Sequence, residues 1–258
     1  RLDSVQNAEK ELLQKMSQVD ASEMMEQLDL GLVCRPVAGT ERIALVSLGS
    51  YCGTKLSFKA IGRAAETLPF DWIRTRMEGI FHFLRCDFQG FFDCKGRAHT
   101  PFMKMEVSRS QYHSFWHDNP QELAAQEKYR RRIARLRTVR ADVHPVLYVR
   151  SAAESNELLR AGELAQEVKR QFGAQAKLLL ILDHQKPGQL GPWGFSNYDN
   201  LLVYFSRSES LARPFCNEVS DGLAWAAGLR VPGLQYASEP TSILHMVAEN
   251  SLGMAGSD

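Results

Sequence analysis

From Arg42 onward two hydrophobic patterns take turns along the chain. The runs "IALVSL" (43–48), "HPVLYVRSA" (144–152), "KLLLILDHQ" (177–185) and "NLLVYFSR" (200–207) are short and almost continuously apolar. That is the signature of strands covered on both faces. Between them, apolar residues recur at three- and four-residue steps. The stretch from Thr54 to Ala65 reads as a helix with Leu56, Phe58, Ile61 and Ala65 as its apolar set, and "MEGIFHFLRCDFQGFFD" places Ile80, Phe83, Leu84 and Phe88 on one face. "QELAAQEKYRRRIARLRTV" and "ESNELLRAGELAQEVKRQFG" read as helices, the second with Gly173 as its C-terminal stop. "SLARPFCNEVSDGLAWAAGL" predicts a last helix, interrupted near Pro214. "LPFDWI" reads as a break and a turn, and residues 94–120, rich in Gly, His and aromatics, as irregular. Strands alternating with helices predict an α/β fold, a mostly parallel sheet flanked by helices.

Before Arg42 the pattern differs. Leu2, Val5, Leu12, Met16 and Val19 sit at helical steps among Glu and Lys, until Pro36 and Gly39 break the series. The division expected is an N-terminal helical arm and linker over 1–40, ahead of an α/β core over 41–258. The arm either packs on the core or offers a helix to a protein partner.

Composition narrows the function classes. The 258 residues carry a net charge of +1, with 44% hydrophobic and 24% charged residues, which is ordinary for a globular chain. A near-neutral balance argues against nucleic-acid binding as the main task. No run approaches the ~18 apolar residues of a membrane-spanning helix. The start lacks the apolar core of a signal peptide, while a targeting segment lost ahead of Arg1 stays compatible with it. Cys34, Cys52, Cys86, Cys94 and Cys216 are widely spread and form no CxxC pair. Free thiols in a reducing compartment are the favoured reading, and zinc spacing is absent.

In a parallel sheet, ligands gather where strands end. The ends bring Gly49, Ser50, Tyr51 and Cys52 after the first run, Arg150 after the second, Asp183 and His184 after the third, and Ser206 and Arg207 after the fourth. Cys52 then stands at a helix N-terminus, where the free N–H groups favour a thiolate and could hold an oxyanion. Gly49 and Gly53 permit close backbone approach. "GSYCGTK" is not a nucleotide-binding loop: its glycines are one residue too close, and Thr54 precedes Lys55 instead of following it. A looser anion site at the same helix start remains open. In "QYHSFWHDNP", His113 and His117 share a face in either a helix or a strand, but a third metal ligand is missing. The sharper use of His117, flanked by Asp118, is as a base for a thiol; the bland one is a hydrogen-bonded histidine in an aromatic loop. Asp71, wedged between Phe70 and Trp72, would orient a histidine or a turn, or cap the next helix. The arginines of "KYRRRIARLRTVR" read as the solvated face of a helix whose other face carries Tyr129, Ile133, Leu136 and Val139.

Taken in order, "VSLGSYC", "PFDWIRT", "MEGIFHFL", "DFQGFFD", "HSFWHD", "YRRRIARL" and "PVLYVR" resemble a domain family of unknown function described as putative papain-like cysteine peptidases, and the text is similar to its dinoflagellate members. The resemblance spans roughly residues 42–205. It implies that Cys52 is the nucleophile and His117 the base, with Asp118 or Asp71 as orienter. The sequence departs from papain in having no CGSCW-like text and in placing Cys52 after a buried strand, with Asp183 and His184 as the late candidates.

The function expected is a thiol hydrolase acting on a peptide or another small acyl substrate, with no cofactor and no metal. One alternative is an α/β domain that binds an anionic or glycosyl ligand through Gly49, Ser50, Gly53, Arg150, Asp183, His184 and Arg207. The other is a non-catalytic module that acts through its N-terminal helix.

Overall fold

The computed structural model describes residues 37–63, 66–100, 105–152, 155–207 and 214–246. The expected N-terminal arm lies outside them, apart from 37–40. The continuous apolar runs form strands β1 (Ala44–Ser47), β6 (Val146–Ala152), β7 (Ala176–Leu182) and β9 (Tyr198–Phe205). They lie side by side and parallel in the order β1-β6-β7-β9. All seven residues of β6 are buried, which is why its sequence shows no alternation. Two further strands complete a six-stranded sheet: β8 (Gly191–Phe195), antiparallel to β9, and β10 (Gln235–Ala237), parallel to β8. β8 falls in the Gly/Pro/Trp stretch that reads as a loop. Its Pro192 and two glycines hide a strand that pairs through its backbone alone.

Side chains alternate between the two faces of this sheet. Ile43, Leu45, Leu147, Val149, Leu179 and Ile181 face helices α1 (Gly53–Ala60) and α5 (Cys216–Ala226). Ser57 ties the two helices together, since its Oγ accepts from the Phe215 N–H (3.1 Å) and donates to the Gly53 carbonyl (2.9 Å). Val46, Tyr148, Leu178 and Leu180 face the other way, in one cluster with residues of α2 (Met77–Arg85), α3 (Leu123–Thr138) and α4 (Ala161–Phe172). Each fully buried Leu, Ile or Phe contributes about 1.5–3 kcal/mol. On α3 the stripe Tyr129, Ile133 and Leu136 is buried as the periodicity predicts.

Residues 94–120 are not irregular. They supply β3 (Gly96–Thr100), β4 (Met105–Arg109) and β5 (His113–Phe115), which join β2 (Ile73–Thr75) in an antiparallel sheet ordered β2-β5-β4-β3. Strands of three to five residues give too few alternations to be recognised from the sequence.

Candidate functional site

The turn from β1 into α1 is built from two residues with positive φ, Gly49 at 75° and Ser50 at 90°. Glycine suits the first: a Cβ at Gly49 would sit 3.2 Å from the Phe70 carbonyl oxygen. Ser50 is a non-glycine residue in a strained conformation, a condition that concentrates at functional sites. The turn delivers Cys52 to the N-cap of α1, where its carbonyl accepts the Leu56 N–H (3.0 Å) and no side chain caps the helix. Tyr51 folds back over the same helix start, its ring filling the space that a Cβ on Gly53 would need, at 2.5 Å.

Cys52 is half-buried and free. Burial pushes its thiol above the ordinary range, opposed by its own backbone N–H and by the charge of Arg74. The helix start therefore does not by itself produce a resting thiolate, because desolvation outweighs it. Burial, with Asp183 and Cys52 nearby, also pushes the Tyr51 phenol upward, so Tyr51 keeps its proton beside the thiol.

Arg74 comes from the second sheet. Ile73 and Thr75 point into the core, so Arg74 lies on the opposite face of β2. The Arg74 guanidinium lies over the Trp116 ring at 4.1 Å from its centre. On the neighbouring β5, Ser114 stands opposite Arg74, and Ser114 is itself opposite Arg109 of β4. His117 meets Trp72 edge-on at 5.8 Å. Trp72 directly precedes β2, two residues before Arg74. None of the described histidines hydrogen-bonds the Cys52 thiol.

The other expected residues have definite partners. Asp71 is 1% exposed; its Oδ2 accepts the Leu68 N–H (2.8 Å) and pairs with Lys55 Nζ (3.1 Å). It holds a turn rather than a histidine, and burial keeps its carboxyl above the usual range. Asp118 pairs with Lys128. Burial lowers the His117 imidazole, which leaves it neutral and able to accept a proton. His113 faces inward, stacked on Phe91 at 4.8 Å, with Nε2 on the Phe91 carbonyl (2.9 Å) and Nδ1 on Ser110 Oγ (2.6 Å).

Arg150, 1% exposed, faces the protein rather than a ligand. It forks onto Glu157 (2.6 and 2.5 Å) and donates to the carbonyls of Leu48 and Thr75, both at 3.1 Å. Asp183 is buried at the end of β7 and accepts the His184 N–H (2.7 Å). His184 is exposed, has φ of 61°, and sits with Nε2 3.9 Å from Asp183 Oδ2. Nearby, Ser206 Oγ bonds Glu218 and the Tyr204 hydroxyl donates to Asp221 (3.0 Å).

Arg74 is the charged neighbour of Cys52 that sequence reasoning passed over, and Trp116, Ser114 and Arg109 lie with it on the second sheet. The signal was the alternation in "WIRT", which was absorbed into the reading of a turn. Among the described residues, no three His, Cys, Asp or Glu side chains gather as metal ligands, and no helix is long and apolar enough to cross a membrane.

The sequence blocks that converge here are one unit in space: "SLGSYC" packs on Phe70 of "PFDWIRT", Gly79 of "MEG" lies against the Tyr112 backbone, and Arg150 of "PVLYVR" holds both strand ends. No curated protein and no solved structure matches the chain. A family model described as putative papain-like cysteine peptidase matches residues 43–184, more than half of the chain, and the chain belongs to that family.

Proposed function

We propose that the chain is a thiol hydrolase with Cys52 as its nucleophile. The observation that carries this reading is the strained turn Gly49–Ser50, which presents Cys52 at an uncapped helix start beside Arg74. Because the resting thiol is held neutral, attack needs a base. That role is assigned to His117, a neutral imidazole that meets Trp72 edge-on, two residues before Arg74. It is not bonded to the thiol in this ligand-free structure, and catalytic hydrogen bonds often tighten only when substrate is present.

His117 takes the thiol proton while Cys52 Sγ bonds the acyl carbon. The first-turn N–H groups of α1 hold the oxyanion. The bond to the leaving group breaks, and His117 returns the proton to it. Water then attacks the thioester, again deprotonated by His117, and releases a carboxylic acid and the thiol.

A second reading gives the base to His184. It rests on the neighbouring Asp183 carboxylate, 3.9 Å from its Nε2, in an arrangement that orients an imidazole. Tyr51, which Asp183 influences, connects this pair to Cys52.

Acylation by p-nitrophenyl acetate, mapped by peptide mass spectrometry, tests both. Under this proposal Cys52 is acylated faster than the exposed Cys86, and Cys52→Ser removes the nitrophenol burst. A fall of 10²-fold or more in His117→Ala, but not in His184→Ala, supports His117; the reverse supports His184. Acylation of Cys52 no faster than of Cys86 sinks the reading.

A further inference from the structure

Three aligned residues cross the second sheet, whose strand β2 packs through Thr75 against Gly49 of the Cys52 turn. Arg74 on β2 is paired with Ser114 on β5, and Ser114 with Arg109 on β4. The two arginines are thus one strand apart from a common neighbour, about 9–10 Å between backbones. Among the described residues neither guanidinium pairs with a carboxylate, whereas Arg97 on the next strand finds Glu106 at 2.8 Å. Each raises the cost of charging the other: Arg109 is among the groups that lower the Arg74 pKa, behind burial. Both arginines are exposed, and at that separation their mutual repulsion is weak and salt-screened, so the row costs the fold little and stays available to an anion.

The remaining details fit an anion. The Arg74 guanidinium lies over the Trp116 ring, 4.1 Å from its centre, a contact that restrains the side chain. The Trp116 indole N–H donates to Ser114 Oγ (2.8 Å), so the Ser114 O–H remains as a donor of its own. Guanidinium, hydroxyl and guanidinium together form a donor-rich row, and a planar carboxylate accepts bidentate bonds from a guanidinium fork.

We infer that Arg74, Ser114 and Arg109 form a subsite that seats a carboxylate of the substrate next to Cys52. This deepens the hydrolase reading and rests on it: the favoured substrates are acidic acyl compounds, foremost peptides carrying a carboxylate near the scissile bond.

Alkylation tests the subsite without any turnover. Iodoacetate carries a carboxylate and iodoacetamide does not, so their rate ratio at Cys52 reads anion preference. The exposed Cys86 in the same sample is the reference. The ratio at Cys52 is expected to exceed that at Cys86 by about 5-fold or more, as a coupling of about 1 kcal/mol would give. It should fall to the Cys86 value in Arg109→Gln and in about 0.5 M salt, where exposed charges are screened. Equal ratios at the two cysteines, or no change in Arg109→Gln, overturn the proposal. A loss of ester acylation would sink the hydrolase reading and leave this ratio intact, so the two failures are distinguishable. Competition then identifies the carboxylate. Slower iodoacetamide labelling of Cys52 by an acetylated peptide amide with paired glutamates points to an acidic side chain. Slowing by its glutamine counterpart with a free C-terminus points to a terminal carboxylate, and slowing by neither overturns the assignment.

Discussion

Arg150 Nη1 donates to the carbonyl of Leu48 at 3.1 Å, joining residues 102 positions apart in the chain. Leu48 is the last residue before the Gly49–Ser50 turn. The same guanidinium holds the Thr75 carbonyl at the end of β2, and Glu157 neutralises it. One buried side chain therefore fixes both strand ends between which the Cys52 turn is suspended.

Replacing Arg150 should unfold more than a local contact. Arg150→Met would leave Glu157 without its partner and two carbonyls without a donor, at a cost of about 3–5 kcal/mol. Urea denaturation measures this directly. Arg150→Lys should recover only part of it, since an ammonium cannot supply the fork geometry. A variant within 1 kcal/mol of wild type, on the order of experimental scatter for surface changes, would show that the clamp does not matter.

That clamp also shows what was legible in the sequence. The strands β1, β6, β7 and β9 were legible because full burial makes them continuously apolar. Arg150 at a strand end looked like a ligand contact, but β6 lies inside the sheet, and its side chain meets backbone carbonyls instead of solvent. The Cys52 turn was visible as glycines and a thiol after an apolar run. Arg74 was not, because its neighbours in the site come from β4 and β5, and pairing between short strands leaves no local trace. The same holds for Asp71: its place between aromatics signalled a constrained carboxylate, while its partner Lys55, 16 positions earlier, depends on how α1 meets the 68–71 turn.

The pair Lys55–Asp71 yields a double-variant prediction. Lys55→Met should destabilise the fold by about 3–5 kcal/mol, because it leaves a buried carboxyl without its cation. Adding Asp71→Asn should restore most of this, since an amide keeps an acceptor for the Leu68 N–H and carries no charge. Additive losses in the chemical-denaturation cycle would contradict a coupled pair.

His113 should make the protein acid-sensitive. Burial depresses its pKa from 6.5 to about 4. Between those values the unfolded chain binds a proton that the folded chain excludes, so stability rises with pH in that window and falls as pH drops through it. Above 6.5 and below about 4 this contribution is flat. The full change is about 3 kcal/mol. Thermal melts from pH 7 to pH 4 should show this slope, and His113→Gln should flatten it even though its absolute stability is lower. An unchanged slope would assign the acid sensitivity to other groups.

Ser50 links strain to reactivity. A serine at φ 90° costs on the order of 1 kcal/mol relative to glycine. Ser50→Gly should therefore raise the melting temperature by a few degrees, about 2–4 °C for each kcal/mol in a chain of this size. The same change frees the turn to sample conformations that swing Cys52 away from the start of α1 and from Arg74. Burst acylation by p-nitrophenyl acetate should then slow while the fold becomes more stable, a trade characteristic of strain held at a working site. Ser50→Ala separates the two contributions, because it keeps the backbone strain and removes only the hydroxyl. Acylation that falls as far in Ser50→Ala as in Ser50→Gly would assign the effect to the hydroxyl, which both changes remove, and reject the role of the strained turn.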